Sequence, residues 1–146
     1  MSGRSNTGRD ARAWMIGTSG TRPASSPTLS ITSAGKTLTA GQLTLLAVTK
    51  LNEWGADVWR QNNHATRGRK FIGRKGLPDI IGHASGGKAV YCEIKAEGDR
   101  ISDEQRTFLE EAHLRGCWAF ICFQKGEAVR LTSWADYRMA ETHDTA

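Results

Sequence analysis

Three charged side chains sit inside runs that are otherwise apolar. Asp79 follows Pro78 in Gly76-Leu77-Pro78-Asp79-Ile80-Ile81-Gly82, and Glu93 and Lys95 close Val90-Tyr91-Cys92-Glu93-Ile94-Lys95. Short apolar runs of this kind read as strands. A strand gains nothing from burying charge unless the charges serve one another or a metal. Side chains alternate along a strand, so Val90, Cys92 and Ile94 point to one face and Tyr91, Glu93 and Lys95 to the other. If the strand holding Asp79 pairs beside this one, two carboxylates and an ammonium converge. Such a grouping can hold a hard divalent cation next to a phosphate.

The 146 residues suffice for one domain with a modest core and some tail. No run of about 18 apolar residues is present, which excludes a helical membrane span, and the N-terminus lacks the apolar stretch of a secretory signal. Cys92, Cys117 and Cys122 lie in apolar segments and match no zinc spacing, an odd set that fits buried thiols in a reducing cytoplasm. The net charge of +5 is unevenly spread. Seven basic residues fall between Lys50 and Lys75 against Glu53 and Asp57, whereas the chain beyond Leu77 is net acidic. A basic block leading into an acidic constellation is the footprint expected for a polyanion, although a merely soluble basic surface has the same charge.

Residues 1–37 are rich in Ser, Thr, Gly and Arg without sustained apolar period, and read as a disordered leader before one domain over 38–146. A helix is expected from about Thr39, with Leu43, Leu46 and Ala47 and then Leu45, Val48 and Leu51 at helical spacing, ended by Gly55. Residues 57–61 read as a strand, and 62–76 as a basic loop anchored by Phe71-Ile72. Strands at about 78–82 and 89–95 flank a turn over 84–88. Ser102 and Gln105 have the spacing of a capping box that opens a helix with Phe108, Leu109 and Ala112 inward and Gly116 at its stop. Trp118–Phe123 reads as a strand buried on both faces, and a last short helix covers 134–140. The tryptophans read mostly as core. The order is α, β, β, β, α, β, α, an α/β chain with a mixed central β-sheet flanked by helices.

Gly-Leu-Pro-Asp-Ile-Ile-Gly at 76–82, Glu-Ile-Lys at 93–95, Ser-Asp-Glu-Gln-Arg-Thr-Phe-Leu at 102–109 and Gly-Cys-Trp-Ala-Phe-Ile at 116–121, in this order, resemble the virus-type replication-repair nuclease domain, VRR-NUC. That domain is a branch of the PD-(D/E)XK superfamily, with its restriction-endonuclease-like core. The resemblance runs from about Gln42 to Phe123, and Val58-Trp59-Arg60-Gln61-Asn62-Asn63 also looks like the segment carried by stand-alone phage and bacterial members. It implies that Asp79 and Glu93 ligate Mg²⁺ or Mn²⁺, with the Ile94 main-chain carbonyl as a third ligand. Lys95 would position or activate the attacking water or stabilise charge on the phosphate, and Gln105 would support the lysine and the water. Gln105 also has the spacing to close the capping box with Ser102, and the sequence leaves both readings open. Taken alone, Asp79 reads as a turn residue and Glu93 with Lys95 as an exposed ion pair on an edge strand. The order of the motifs favours the site.

The family carries a glutamate in its first helix that completes the metal site. Counting back from Gly55-x-x-Val58-Trp59-Arg60 places Gln42 there, a neutral and weaker ligand, and Glu53 lies about 16 Å further along the axis. Arg60, Asn62, Asn63, Arg67, Arg69, Lys70, Arg74 and Lys75 are the expected DNA contacts, gripping phosphates rather than reading bases. The resemblance implies a metal-dependent DNA endonuclease selective for branched DNA such as Holliday junctions, acting in replication, recombination or repair. It would act as a homodimer, in the cytoplasm of a bacterium or a phage-infected cell. The alternative is a catalytically weak or inactive nuclease-fold DNA-binding module, which Gln42 favours and the intact Asp79, Glu93 and Lys95 oppose. A restriction-type nuclease with a defined site is a third reading.

Overall fold

The computed structural model of the chain describes residues 27–61 and 73–144. Six strands form one sheet: β1 (Leu29–Thr32), β2 (Asp57–Arg60), β3 (Ile80–Ala84), β4 (Lys88–Lys95), β5 (Trp118–Lys125) and β6 (Ala128–Ser133). Three helices flank it: α1 (Ala40–Glu53), α2 (Asp103–Leu114) and α3 (Trp134–Asp144). The order across the sheet is β1-β6-β5-β4-β3-β2, with β4 and β5 parallel and every other neighbouring pair antiparallel. The mixed α/β architecture expected from the sequence is present. Among the described residues no helix is long and apolar enough to cross a membrane.

The parallel pair β4–β5 needs a crossover, and α2 supplies it. Alternation on these two strands divides the core. Val90, Cys92 and Ile94 of β4 and Phe120 and Cys122 of β5 pack with Leu43, Ala47 and Leu51 of α1 on one face. On the other, Ala119 packs with Phe108, Leu109 and Ala112 of α2 and Trp134 of α3, and Tyr91 closes against them. Each fully buried aliphatic side chain contributes about 1.5–3 kcal/mol, so both faces of this central pair hold the fold. Leu45, placed among the inward positions by its spacing, is instead 69% exposed, because the inward stripe of α1 is Leu43, Ala47 and Leu51.

Two strands escaped the sequence reading. β1 lies within the stretch assigned to the unstructured leader, and residues 1–26 of that stretch lie outside the described residues. β1 is an edge strand whose side chains are mostly exposed; its alternation Leu29-Ser30-Ile31-Thr32 is only four residues long, and its backbone pairing with β6 holds it. A buried amide anchors the chain that follows it. Gln124 Oε1 accepts from Leu38 N at 2.8 Å and its Nε2 donates to Lys36 O at 2.8 Å, joining the approach to α1 to β5. β6 alternates buried Val129 and Leu131 with exposed Arg130, a signal the sequence does contain. At the other edge, Gly82 lets β2 close on β3. A Cβ there would stand 2.0 Å from Asp57 O and 2.6 Å from Val58 Cα.

Candidate active site

The register explains why Asp79 reaches Glu93. Ile80 pairs with Cys92, and one residue earlier the ladder stops at Asp79. Pro78 has no N–H to give the Ile94 carbonyl, so the regular ladder ends there, and the Asp79 carboxylate serves as acceptor on this side: Ile94 N donates to Asp79 Oδ2 at 2.9 Å. On the far side, Gln61 N donates to Asp79 O at 2.7 Å, so both flanking strands fix this residue. Gly76 holds the approach. With φ at +83° and an added Cβ only 2.5 Å from Glu104 O, the position admits no side chain while Gly76–Asp79 lies against the first turn of α2. The sequence marked this glycine only as part of a motif; its contact with α2 is a tertiary fact.

β4 turns Glu93 and Lys95 toward α2, as alternation predicted. Glu93 is 2% exposed, and β4 is an interior strand, which removes the reading of an exposed edge ion pair. Lys95 Nζ stands 3.4 Å from Glu93 Oε1 and donates to Gln105 Oε1 at 2.8 Å. Gln105 Nε2 donates to Glu93 Oε1 at 2.7 Å. The same Gln105 Oε1 accepts from Ser102 N at 2.9 Å, and Ser102 Oγ accepts from Gln105 N at 3.1 Å. Both readings left open for Gln105 therefore hold at once: the side chain caps its helix and bridges the lysine to the buried acid.

Among the described residues Glu93 Oε2 is buried without a hydrogen-bond donor, and the carboxyl lies against the side chain of Asp79. Burial, and then the charge of Asp79, push the Glu93 carboxyl up to about 8, with Lys95 opposing in part. An orphaned carboxylate oxygen beside a second carboxylate is the donor chemistry that a hard divalent cation satisfies. The residues present fit Mg²⁺ or Mn²⁺, with Asp79, Glu93 and the Ile94 carbonyl as the oxygen donors. The protein side-chain set is small: among the described residues no group of three or more His, Cys, Asp and Glu side chains is assembled to hold a metal.

Gln42 does not join this cluster through any hydrogen bond of its side chain. It is exposed, and its Oε1 accepts from Thr39 N at 2.9 Å while Thr39 Oγ1 accepts from Gln42 N at 3.1 Å. Its helix packs on the Val90–Cys92–Ile94 face of β4, opposite to the face of Glu93, Lys95 and Gln105. Glu53, at the other end of α1, pairs with Lys50.

Of the expected phosphate contacts, Arg60 is exposed at the end of β2, and Arg74 and Lys75 are exposed before Gly76. Arg74 leans onto α2, its guanidinium 4.9 Å from the Phe108 ring centroid and 3.4 Å from Glu111. With Lys75, Gly76 and Leu77 it lines a groove whose opposite wall is Ser102, Glu104 and Gln105. Asn62, Asn63, Arg67, Arg69 and Lys70, and the Phe71-Ile72 anchor, lie outside the described residues. Trp118 and Trp134 are core, but Trp59, for which the sequence also suggested core, is 45% exposed, because β2 is an edge strand and only its Val58 face is covered.

Comparison with known proteins agrees with this arrangement at the level of the family. No curated protein matches the chain. Among solved structures, a similar one is that of Archaeoglobus fulgidus Hjc, a Holliday junction resolvase from an archaeal hyperthermophile. It is 14% identical, the match covers 63% of this chain and 88% of that one, and the TM-score is 0.32. The model of the VRR-NUC domain matches residues 37–124, a span that takes in α1, Asp79, Glu93, Lys95, Gln105 and all of β5 but its last residue. The chain belongs to the VRR-NUC family.

Proposed function

We propose that this protein is a metal-dependent DNA endonuclease, selective for branched DNA such as Holliday junctions and acting in replication, recombination or repair. The observation that carries the reading is the unpartnered Glu93 Oε2, buried beside Asp79 and within one side chain of the Lys95–Gln105 pair. Asp79, Glu93 and the Ile94 carbonyl would hold Mg²⁺ or Mn²⁺. When bound, the cation offsets charge on the phosphate and makes water a stronger acid. The chain's own groups do the rest. Gln105 Oε1 aims the Lys95 ammonium, which donates to a phosphoryl oxygen as negative charge builds in the transition state. The basic rim at Arg74 and Lys75 positions the phosphodiester backbone. Selectivity would come from the shape of the DNA, and a homodimer would present two sites to two strands. The reading implies the cytoplasm of a bacterium or a phage-infected cell.

Incubation of the pure protein with supercoiled plasmid and a synthetic four-way junction, in Mg²⁺, Mn²⁺ or EDTA, tests this. Cutting is expected in metal, with preference for the junction, and none in EDTA or in Asp79→Ala. Tight junction binding without cutting in either metal overturns the enzyme reading. It would leave a nuclease-fold binding module.

A further inference from the structure

The face of the sheet that carries Glu93 extends beyond the site. Trp59, Ile81 and Tyr91 are register partners across β2, β3 and β4, and Glu93 is the next residue after Tyr91 on that face. Val58, Ile80 and Ala84 point the other way, into the core under α1. α2 covers Tyr91 through Phe108, with ring centroids 4.9 Å apart, but Trp59 is left 45% exposed. The Trp59 ring meets His83 edge-on, centroids 6.0 Å apart at 72°, and this neighbour restricts its rotation. Two strand spacings put Trp59 about 10 Å from Tyr91. Its position relative to the site is fixed, because β2 runs on through exposed Arg60 to Gln61, whose amide binds the main chain of Asp79. The one carboxylate on this stretch, Asp57, stands 3.8 Å from His83 at the end away from Arg60 and Asp79.

We propose that Trp59, steadied by His83, is a stacking platform for an unpaired nucleobase of the DNA strand whose backbone enters the Asp79–Glu93–Lys95 site. This assignment rests on the nuclease reading above. Every base has a π-face, so an exposed indole beside a basic approach grips single-stranded nucleotides without reading sequence. A base still paired inside a duplex is not available to it. The platform therefore favours branch points, flaps and frayed ends over continuous duplex. A second copy of the chain is the other occupant an exposed tryptophan could take. However, one indole with Ile81 falls far short of the roughly 800 Å² per partner of a stable interface, whereas it matches one base.

The test uses the full chain in EDTA and three probes: a continuous duplex, the same duplex with a short unpaired flap, and a single strand, the last two carrying 2-aminopurine in the unpaired segment. Wild type is expected to quench the 2-aminopurine. Trp59→Ala should lose the quench and roughly five- to hundredfold in affinity for the two unpaired probes, with duplex affinity held within about twofold. Trp59→Phe should keep most of both, which guards against a folding defect in the alanine variant. Equal quench and affinity in wild type and Trp59→Ala overturn the proposal, and so does an equal loss on all three probes. Sedimentation that changes from dimer to monomer in Trp59→Ala would assign the face to a second copy and also overturn it. The nuclease reading is judged separately, by wild-type cutting in Mg²⁺ or Mn²⁺. A protein that cuts but ignores position 59 loses only the platform, and one that quenches but never cuts loses only the nuclease.

Discussion

At the start of α1, Thr39 and Gln42 close a capping box; at the start of α2, Ser102 and Gln105 close the same one, with hydrogen-bond distances that agree atom for atom. The cap uses one lone pair of the glutamine oxygen and none of its amide protons. What the remainder does depends on the surface beneath. Gln42 is exposed, whereas Gln105 looks down on β4, where its second lone pair takes Lys95 and its amide takes Glu93. A helix-start motif of four residues thus serves as a plain cap in one place and as the clamp of the Lys95–Glu93 pair in the other. The side of the sheet decides which.

The largest test of that contrast removes what Gln105 clamps. Lys95→Ala should lower the rate of junction cutting by on the order of 10²–10³, the effect of deleting one charged donor from a transition state. Asp79→Ala should abolish metal-dependent cutting altogether. Initial rates in Mn²⁺ check both, and a Lys95→Ala variant within tenfold of wild type would detach the clamp from the chemistry.

Next come the two glutamines themselves. Gln105→Ala and Gln42→Ala each lose a capping interaction worth about 0.3–1.5 kcal/mol, so denaturant melts should fall by similar amounts for the helix starts. Gln105→Ala should fall further, since it leaves a buried acid oxygen without its donor. Only Gln105→Ala should lose activity, by about 10–100-fold, the usual effect of removing a group that orients a metal ligand. Equal activity losses in the two variants would erase the distinction.

A pH series reads the same buried acid more gently. The Glu93 carboxyl is held at about 8, chiefly by burial and then by Asp79, against an ordinary 4.5. Between those values the unfolded chain has released a proton that the folded chain keeps. Metal-free stability should therefore fall as pH rises from about 5 to 8, by up to a few kcal/mol, and level off above. Binding of Mn²⁺ displaces that proton, so its stabilisation should be small at pH 6 and grow through pH 8. Thermal melts with and without Mn²⁺ check this against Glu93→Gln, in which both slopes should flatten; identical slopes in the two proteins would remove Glu93 as their source.

How much of this could be read beforehand varies with what holds each piece in place. β5 announced itself because a strand covered on both faces is apolar throughout, and β4 because its charges stand out in an otherwise apolar run. The convergence of Asp79, Glu93 and Lys95 followed from alternation plus one assumed pairing. β1 was missed, since its alternation Leu29-Ser30-Ile31-Thr32 is only four residues long inside a polar stretch and the strand is held by backbone bonds to β6. Trp59 was misassigned for a related reason: residue type suggests core, but only topology says that β2 is an edge. The dual role of Gln105 was legible as two competing readings, and three-dimensional adjacency made them one.

The smallest expected effect concerns the position at which the resemblance led us to expect an acid in the first helix. Gln42→Glu supplies that acid. Glutamate at the third helical position closes a capping box as well as glutamine does and suits the positive end of the helix dipole, so stability should change by no more than about 0.5 kcal/mol. Because Gln42 is exposed and bound to Thr39, over the face of β4 opposite Glu93, Mn²⁺ affinity and cutting rate should also stay within about twofold of wild type. Titration of Mn²⁺ followed by thermal shift, beside the junction assay, measures both. A severalfold gain in metal affinity would mean that the start of α1 reaches the metal site after all. The two capping glutamines would then flank one centre from opposite faces of the sheet, and the contrast between them would be one of ligand strength rather than of position.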